Sequence, residues 1–227
     1  MKYAFSALLW FMLLFNFFGC ATITFNSNYQ LSLSGVSHPK NETYYYGNQK
    51  IDTVTDNPKY NYFFEDSLVK ILWLADSRQI TFSIENKTDY IIKILWDDAA
   101  YVDENNHSHR VIHSGIKFND RANPQPPSVI APKGIIDDFV FPADYIQFIP
   151  GNENTAPAWV EQSLIPVTSE KHVITESSLD EAQAKFNDSL KVNIGKNYQV
   201  LLPLQIDNTL HEYIFTFTIE NAASEIE

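Results

Sequence analysis

Three of the six histidines, His107, His109 and His113, fall within one seven-residue window, close to Asp97, Asp98, Asp103 and Glu104. Neutral imidazole is a good ligand for zinc, copper or nickel. On one uninterrupted strand these odd-numbered positions share a face. A metal site built on His107, His109 and His113 with a nearby carboxylate is therefore one reading. The spacing matches no established zinc motif, and HExxH is absent. The plainer reading is a polar hairpin carrying solvated histidines. Asp97-Asp98 and Asp103-Glu104-Asn105-Asn106 offer oxygen ligands for calcium, without the ordered acids of an EF-hand loop.

Hydrolytic chemistry has less to work with. Ser114 follows His113, but GxSxG is missing, and adjacency in sequence does not place a hydroxyl within reach of an imidazole. The carboxylate pairs Asp97/Asp98 and Asp137/Asp138 would point to opposite faces of a strand, so neither pair acts together on a glycosidic bond. The chain has seven glycines and neither GxGxxG nor a P-loop. No catalytic residue is assigned, and no cofactor is expected.

These residues sit in a chain that reads as strands. Ile80-Thr81-Phe82-Ser83-Ile84 alternates apolar and hydroxyl side chains, the period of a half-buried strand. Asn86-Lys87-Thr88-Asp89 reads as a hairpin turn. Tyr90–Trp96 is apolar at nearly every position and is expected to be a strand covered on both faces. Asp103-Glu104-Asn105-Asn106 forms a second turn between Tyr101-Val102 and Arg110-Val111-Ile112. Pro124, Pro126, Pro127 and Pro132 exclude a long helix and predict an extended edge-like run. Ser67–Leu74 and Ile135–Phe141 read as further strands. A bulge or an exposed edge is expected to accommodate Asp137-Asp138. Pro150–Pro157 is a loop, and a strand is expected over Trp159–Leu164.

Ser177–Leu190 is the one helix signal, with Ser178 and Glu181 spaced as a capping box and Leu179, Ala182, Phe186 and Leu190 on one face. Tyr198–Ile206 and Tyr213–Ile219 form a long hairpin around Asp207-Asn208-Thr209. Trp73 and Trp96 are expected to anchor the core. Tyr44-Tyr45-Tyr46 is expected to pack on the domain; a sugar- or protein-binding aromatic patch is the alternative. Strands at roughly ten-residue spacing, without βαβ alternation, predict an antiparallel, immunoglobulin-like β-sandwich with one short helix.

Composition sets further bounds. The 227 residues are 44% hydrophobic and carry a formal net charge of −12, enough apolar material for one sizeable core. Such an acidic surface repels phosphate backbones and disfavours nucleic acid as a partner. There is one cysteine, Cys20, so no intramolecular disulfide forms. Lys2 precedes an apolar run, Tyr3–Phe18, closed by Gly19-Cys20. A positive residue, a short apolar core and a small residue before a boundary are the parts of a secretory signal, and the run is short for a membrane span.

Phe17-Phe18-Gly19-Cys20 resembles the lipobox of bacterial lipoproteins, matching at Gly19 and Cys20 and departing at Phe17 and Phe18. The resemblance covers about a tenth of the chain and implies no biochemical activity. It implies cleavage before Cys20, a lipid on that cysteine, and a cell-envelope location. Ala21, in place of an aspartate that retains such proteins at the inner membrane, implies the outer membrane. The expected organisation is a signal peptide over 1–19, a tether with peripheral strands over 20–60, the β-sandwich over 61–221 and an acidic, frayed tail over 222–227. The expected partners are the membrane, through the lipid, and an envelope protein or glycan.

Overall fold

A computed structural model describes residues 21–38, 46–174 and 178–227, with the backbone alone at Ala21 and Ile174. The expected signal segment, Cys20, Tyr44, Tyr45 and Ser177 lie outside the described residues. Among the described residues fifteen strands are present: β1 (Ala21–Ser37), β2 (Lys50–Thr53), β3 (Tyr62–Glu65), β4 (Val69–Ala75), β5 (Ile80–Asn86), β6 (Ile92–Ile94), β7 (Ala100–Val102), β8 (Ser108–Ile112), β9 (Ser128–Ile130), β10 (Ile135–Pro142), β11 (Ile146–Ile149), β12 (Ala158–Glu161), β13 (Ser169–Ile174), β14 (Asn197–Ile206) and β15 (Thr209–Ile226). The helix α1 (Leu179–Leu190) lies between β13 and β14. The fold is mainly antiparallel β with one short helix, as the strand spacing predicts.

Thirteen of these strands join one curled sheet in the order β13-β1-β15-β14-β7-β8-β10-β5-β4-β3-β2, with β6 paired to β14 and β9 to β6. β8 joins the halves, pairing with β7 along Ala100↔Arg110 to Val102↔Ser108 and with β10 at Phe141↔Ile112. The curl lays β3 and β4 face to face against β15. Trp73 of β4 lies 4.6 Å from Phe215 and 5.4 Å from Phe217, ring centre to ring centre. Phe64 of β3 lies 5.5 Å from Phe215. The period-two stripe Tyr213, Phe215, Phe217 and Ile219 is fully buried in this core, which is why alternation survives along β15.

The amino-terminal segment is not a tether. β1 is held on both sides, by β13 from Ala21↔Ile174 to Asn26↔Ser169 and by β15 from Phe25↔Ile226 to Ser37↔Ile214. Its Asn, Ser and Thr residues largely decorate one face while Phe25, Leu31 and Leu33 reach the core. Shifts of register at Gln30/Leu31 and Leu33/Gly35 interrupt the pattern, so polar composition conceals a continuous strand. Nor does the chain fray after residue 221: the backbones of Thr24 and Glu227 exchange two hydrogen bonds, both of 3.0 Å.

Two central expectations also change. Tyr90–Trp96 is not a strand covered on both faces. Only Ile92–Ile94 pairs, Lys93 is exposed, and Trp96 enters a 3-10 turn over Trp96–Asp98. Asn86–Asp89 is not a hairpin either, because β5 pairs with β4 and β10 whereas β6 pairs with β14 and β9. The segment crosses between layers. Buried Asn86 plugs the crossing, donating to the carbonyls of Tyr90 (2.7 Å) and Ala131 (3.0 Å). The helix buries Phe186 and Leu190 as its spacing predicts, but Ser178 makes no side-chain capping bond.

Deleting Ala222–Glu227 removes paired backbone from β15, together with the bond from the Ser224 N–H to Asn187 Oδ1 (2.7 Å). At a net 0.5–1.5 kcal/mol per hydrogen bond, the expected loss is at least about 2 kcal/mol in urea denaturation; a frayed tail would leave the midpoint unchanged.

Candidate functional site

The β7–β8 hairpin forms where Asp103-Glu104-Asn105-Asn106 predicts a turn. Asp103 Oδ1 accepts the backbone N–H groups of Asn105 and His107, both at 2.8 Å, and Asn106 takes a left-handed φ of 63°, which asparagine tolerates. The other oxygen, Oδ2, lies 3.3 Å from His107 Nδ1 and 3.5 Å from His109 Nε2. His109 Nδ1 lies 2.8 Å from Asp144 Oδ2. The His109 ring is thus held between two carboxylates, with Tyr145 edge-on at 5.0 Å. Burial pushes the Tyr145 phenol up to about 12, reinforced by the charges of Asp103, Glu104 and Asp144. Burial alone would raise the Asp103 carboxyl; the two backbone donors and His109 outweigh it and hold it below the ordinary 3.8.

His113 does not join this group. Its ring is buried and stacks on Trp96 at 4.1 Å with an interplanar angle of 2°. Its Nδ1 lies 3.2 Å from Asp138 Oδ2. The chain leaves β8 after Ile112, so the shared face of a continuous strand is lost before position 113. Among the described residues no group of three or more His, Cys, Asp or Glu side chains is placed to hold a metal ion. The expected His107, His109 and His113 triad is therefore not assembled: each of His109 and His113 is committed to carboxylates of its own.

The remaining candidates have structural partners. Asp97 Oδ1 accepts from Arg110 Nη2 (2.6 Å) and the Gln125 N–H (3.1 Å). Asp138 is buried inside β10 without a bulge, since the register with β5 runs unbroken from Ile135↔Glu85 to Val140↔Ile80. Its charge is met by His113 and by the N–H groups of Ser114 (2.7 Å) and Phe139 (2.8 Å). Ser114 serves through its backbone. Asp137 faces outward to Lys59 Nζ (3.3 Å) and the Tyr60 hydroxyl (3.3 Å). Trp73 and Trp96 are fully buried core anchors. Tyr46 is buried too, stacked 3.7 Å from His38, so this member of the tyrosine run packs on the domain.

The surface feature that sequence reasoning saw only in part is the separate two-stranded sheet β11–β12, paired from Ile146↔Glu161 to Ile149↔Ala158: the strand expected over Trp159–Leu164 overlaps β12, whereas β11 was not expected. PGNENTAP reads as a loop, but its partner strand before Pro150 is short and follows directly on β10. Asn152 Oδ1 accepts the N–H groups of Asn154 (2.8 Å) and Thr155 (3.0 Å) and closes the tip. A Cβ on Gly151 would stand 2.6 Å from the backbone of Thr155 and Pro157, so the tip requires glycine. Trp159 packs against Phe148 at 5.2 Å and Phe118 at 5.8 Å, with the Arg121 guanidinium 5.0 Å from its ring centre. Phe148, Ile149 and Val160 remain 44–51% exposed.

Beside this hairpin lies a cleft of about 490 Å³ lined by Ser108, His109, Arg110, Arg121, Ala122, Ala143 and Asp144. No known protein family, curated protein or solved structure matches the chain. The local geometry therefore carries the functional argument.

Replacing Asp103 with Asn keeps a turn acceptor but removes the charge. The lowered carboxyl contributes stability above pH 3.8, and that contribution is lost as pH falls through the folded value. Wild type should exceed Asp103→Asn by about 1–2 kcal/mol at pH 7, with the gap closing below pH 3.8 in urea titrations. A gap independent of pH would contradict the charge assignment.

Proposed function

We propose that the chain is an envelope-anchored bacterial lipoprotein, lipidated at Cys20, whose β-sandwich is a binding or accessory domain for an envelope protein or glycan and carries out no catalysis of its own. The observation that carries the anchor is the single cysteine, placed after a charged and then apolar leader with the Gly19-Cys20 pair of a lipobox. The next residue, Ala21, is paired with Ile174. A lipid on Cys20 would hold the β1–β13 end of the sandwich close to the bilayer, without a long arm. Among the described residues no helix is long and apolar enough to cross a membrane. Buried methylenes contribute about 0.8 kcal/mol each, so one acyl chain holds marginally and several hold stably.

The binding half of the proposal is supported by the exposed aromatic hairpin and its adjoining cleft. The acidic balance of 28 Asp and Glu against 16 Lys and Arg argues against nucleic acid as the partner. The metal-binding alternative loses its motivation where the histidines separate.

The test of the anchor is detergent phase partitioning of the full chain expressed in a bacterium with lipoprotein processing. Wild type should enter the detergent phase with acyl mass on Cys20, and Cys20→Ser should move to the aqueous phase. Unchanged partitioning of Cys20→Ser would overturn the anchor.

A further inference from the structure

The chain carries a net charge of −12. Among the described residues Arg121 has no carboxylate within ion-pair distance, as is also true of Lys70, Arg78, Lys93, Lys117, Lys171 and Lys196, whereas Arg110, Lys50, Lys59, Lys87, Lys133, Lys185 and Lys191 each have one; of the cations without one, Arg121 is the one that lines the cleft. Its Nη1 donates to the Phe118 carbonyl at 2.8 Å. That bond and the Trp159 ring hold the guanidinium in place and leave further N–H donors unused. Arg110, on the same cleft, is spent internally: it binds Asp97 and the carbonyls of Ala122 and Asn123. The cleft therefore presents one preorganised, uncompensated cation.

The other groups around it are those a sugar uses. Asp144 offers its second oxygen, the first being taken by His109, and Ser108 offers a hydroxyl. Together they can accept from and donate to ring hydroxyls. Phe148, half exposed at 51%, packs on Trp159 in the neighbouring hairpin and stands outside the residues that line the cleft. Arg presents a planar fork that matches a carboxylate in two parallel hydrogen bonds. The volume of about 490 Å³ lies within the usual span of small-molecule sites, roughly 300–1,000 Å³. An anion meets repulsion from Asp144, which a ligand hydroxyl donating to that carboxylate offsets.

We infer that the cleft between β8, the Phe118–Arg121 turn and the Ala143–Asp144 turn after β10 binds a carboxylate-bearing saccharide, with the acid on Arg121 and hydroxyls on Asp144 and Ser108. This rests on the binding-domain half of the proposal above and is independent of the lipid on Cys20.

The test is calorimetric titration of the full-length protein in detergent with a glucuronate-containing tetrasaccharide and with the same oligosaccharide after reduction of its carboxyls to alcohols. The acidic form should bind at least tenfold more tightly than the reduced form. Arg121→Gln should lose that discrimination and bind both forms equally weakly, and Ser108→Ala should weaken both in parallel. Lys185→Gln, on the exposed face of α1 and outside the cleft, should change nothing. Thermal melts of each variant separate loss of binding from loss of fold, and Arg121→Lys, which retains charge without the planar fork, should recover part of the discrimination. The inference is overturned if neither oligosaccharide binds at millimolar concentration, if both bind wild type equally, or if Arg121→Gln retains the preference. It is equally overturned if acetate displaces the acidic saccharide at comparable concentration, since the sugar would then contribute nothing. A protein lacking acyl mass that still shows the preference would sink the anchor and leave the saccharide site standing.

Discussion

The packing of Trp73 against β15 is the constraint on which the rest of the molecule depends. Trp73, Phe82, Phe215 and Phe217 form one tilted aromatic stack between the layers, and all four are fully buried. Burying such rings contributes most of the hydrophobic stabilisation available to a sandwich of this size. A polar tie fixes the same interface: the Tyr213 hydroxyl donates to Asp66 Oδ2 at 2.9 Å, while Asp66 Oδ1 accepts the N–H groups of Leu68 and Val69. Burial pushes the Asp66 carboxyl up despite these donors. The bonds offset a desolvation cost that apolar packing imposes.

The curl that creates this interface also creates the cleft. β8 must pair with β7 on one side and β10 on the other for the sheet to turn back on itself. Ser108, His109 and Arg110 sit on β8 at this junction, and Asp144 follows directly after β10. The cleft is therefore a consequence of the sheet's closure. The polar residues that look reactive in the sequence are largely the fixings of that corner. Asp103 closes the hairpin, Asp97 secures Arg110, and Asp138 with His113 fills the space beneath Trp96. Buried polar groups are normally satisfied, and here the demand of one corner accounts for most of the acids and histidines clustered in its sequence.

The β11–β12 hairpin stands outside this arrangement, as a sheet of its own. Its tip is tight, its base is pinned by Trp159 on Phe118, and its outer residues add nothing to the main core. Phe148, Ile149 and Val160 give this projection an exposed apolar outer face.

Alternation along Ile80–Ile84, Tyr198–Ile206 and Tyr213–Ile219, together with the amphipathic spacing of α1, was sufficient to determine the mainly antiparallel β class, the carboxy-terminal hairpin and the helix. These features depend on local periodicity and on burial of one face. The β7–β8 turn was legible for the same reason, because Asp and Asn bond their own backbone. Tertiary structure alone decided that β1 is an interior strand, because its partners lie at the other end of the chain and bulges break its pattern. Only the tertiary structure showed that Asn86–Asp89 crosses between layers and does not join two paired strands as a hairpin. It alone separated His113 from His107 and His109, since a strand's end cannot be read from alternate spacing. And it alone brought Arg121, Trp159 and Asp144 together, because their convergence depends on the closure of the sheet and not on any local pattern.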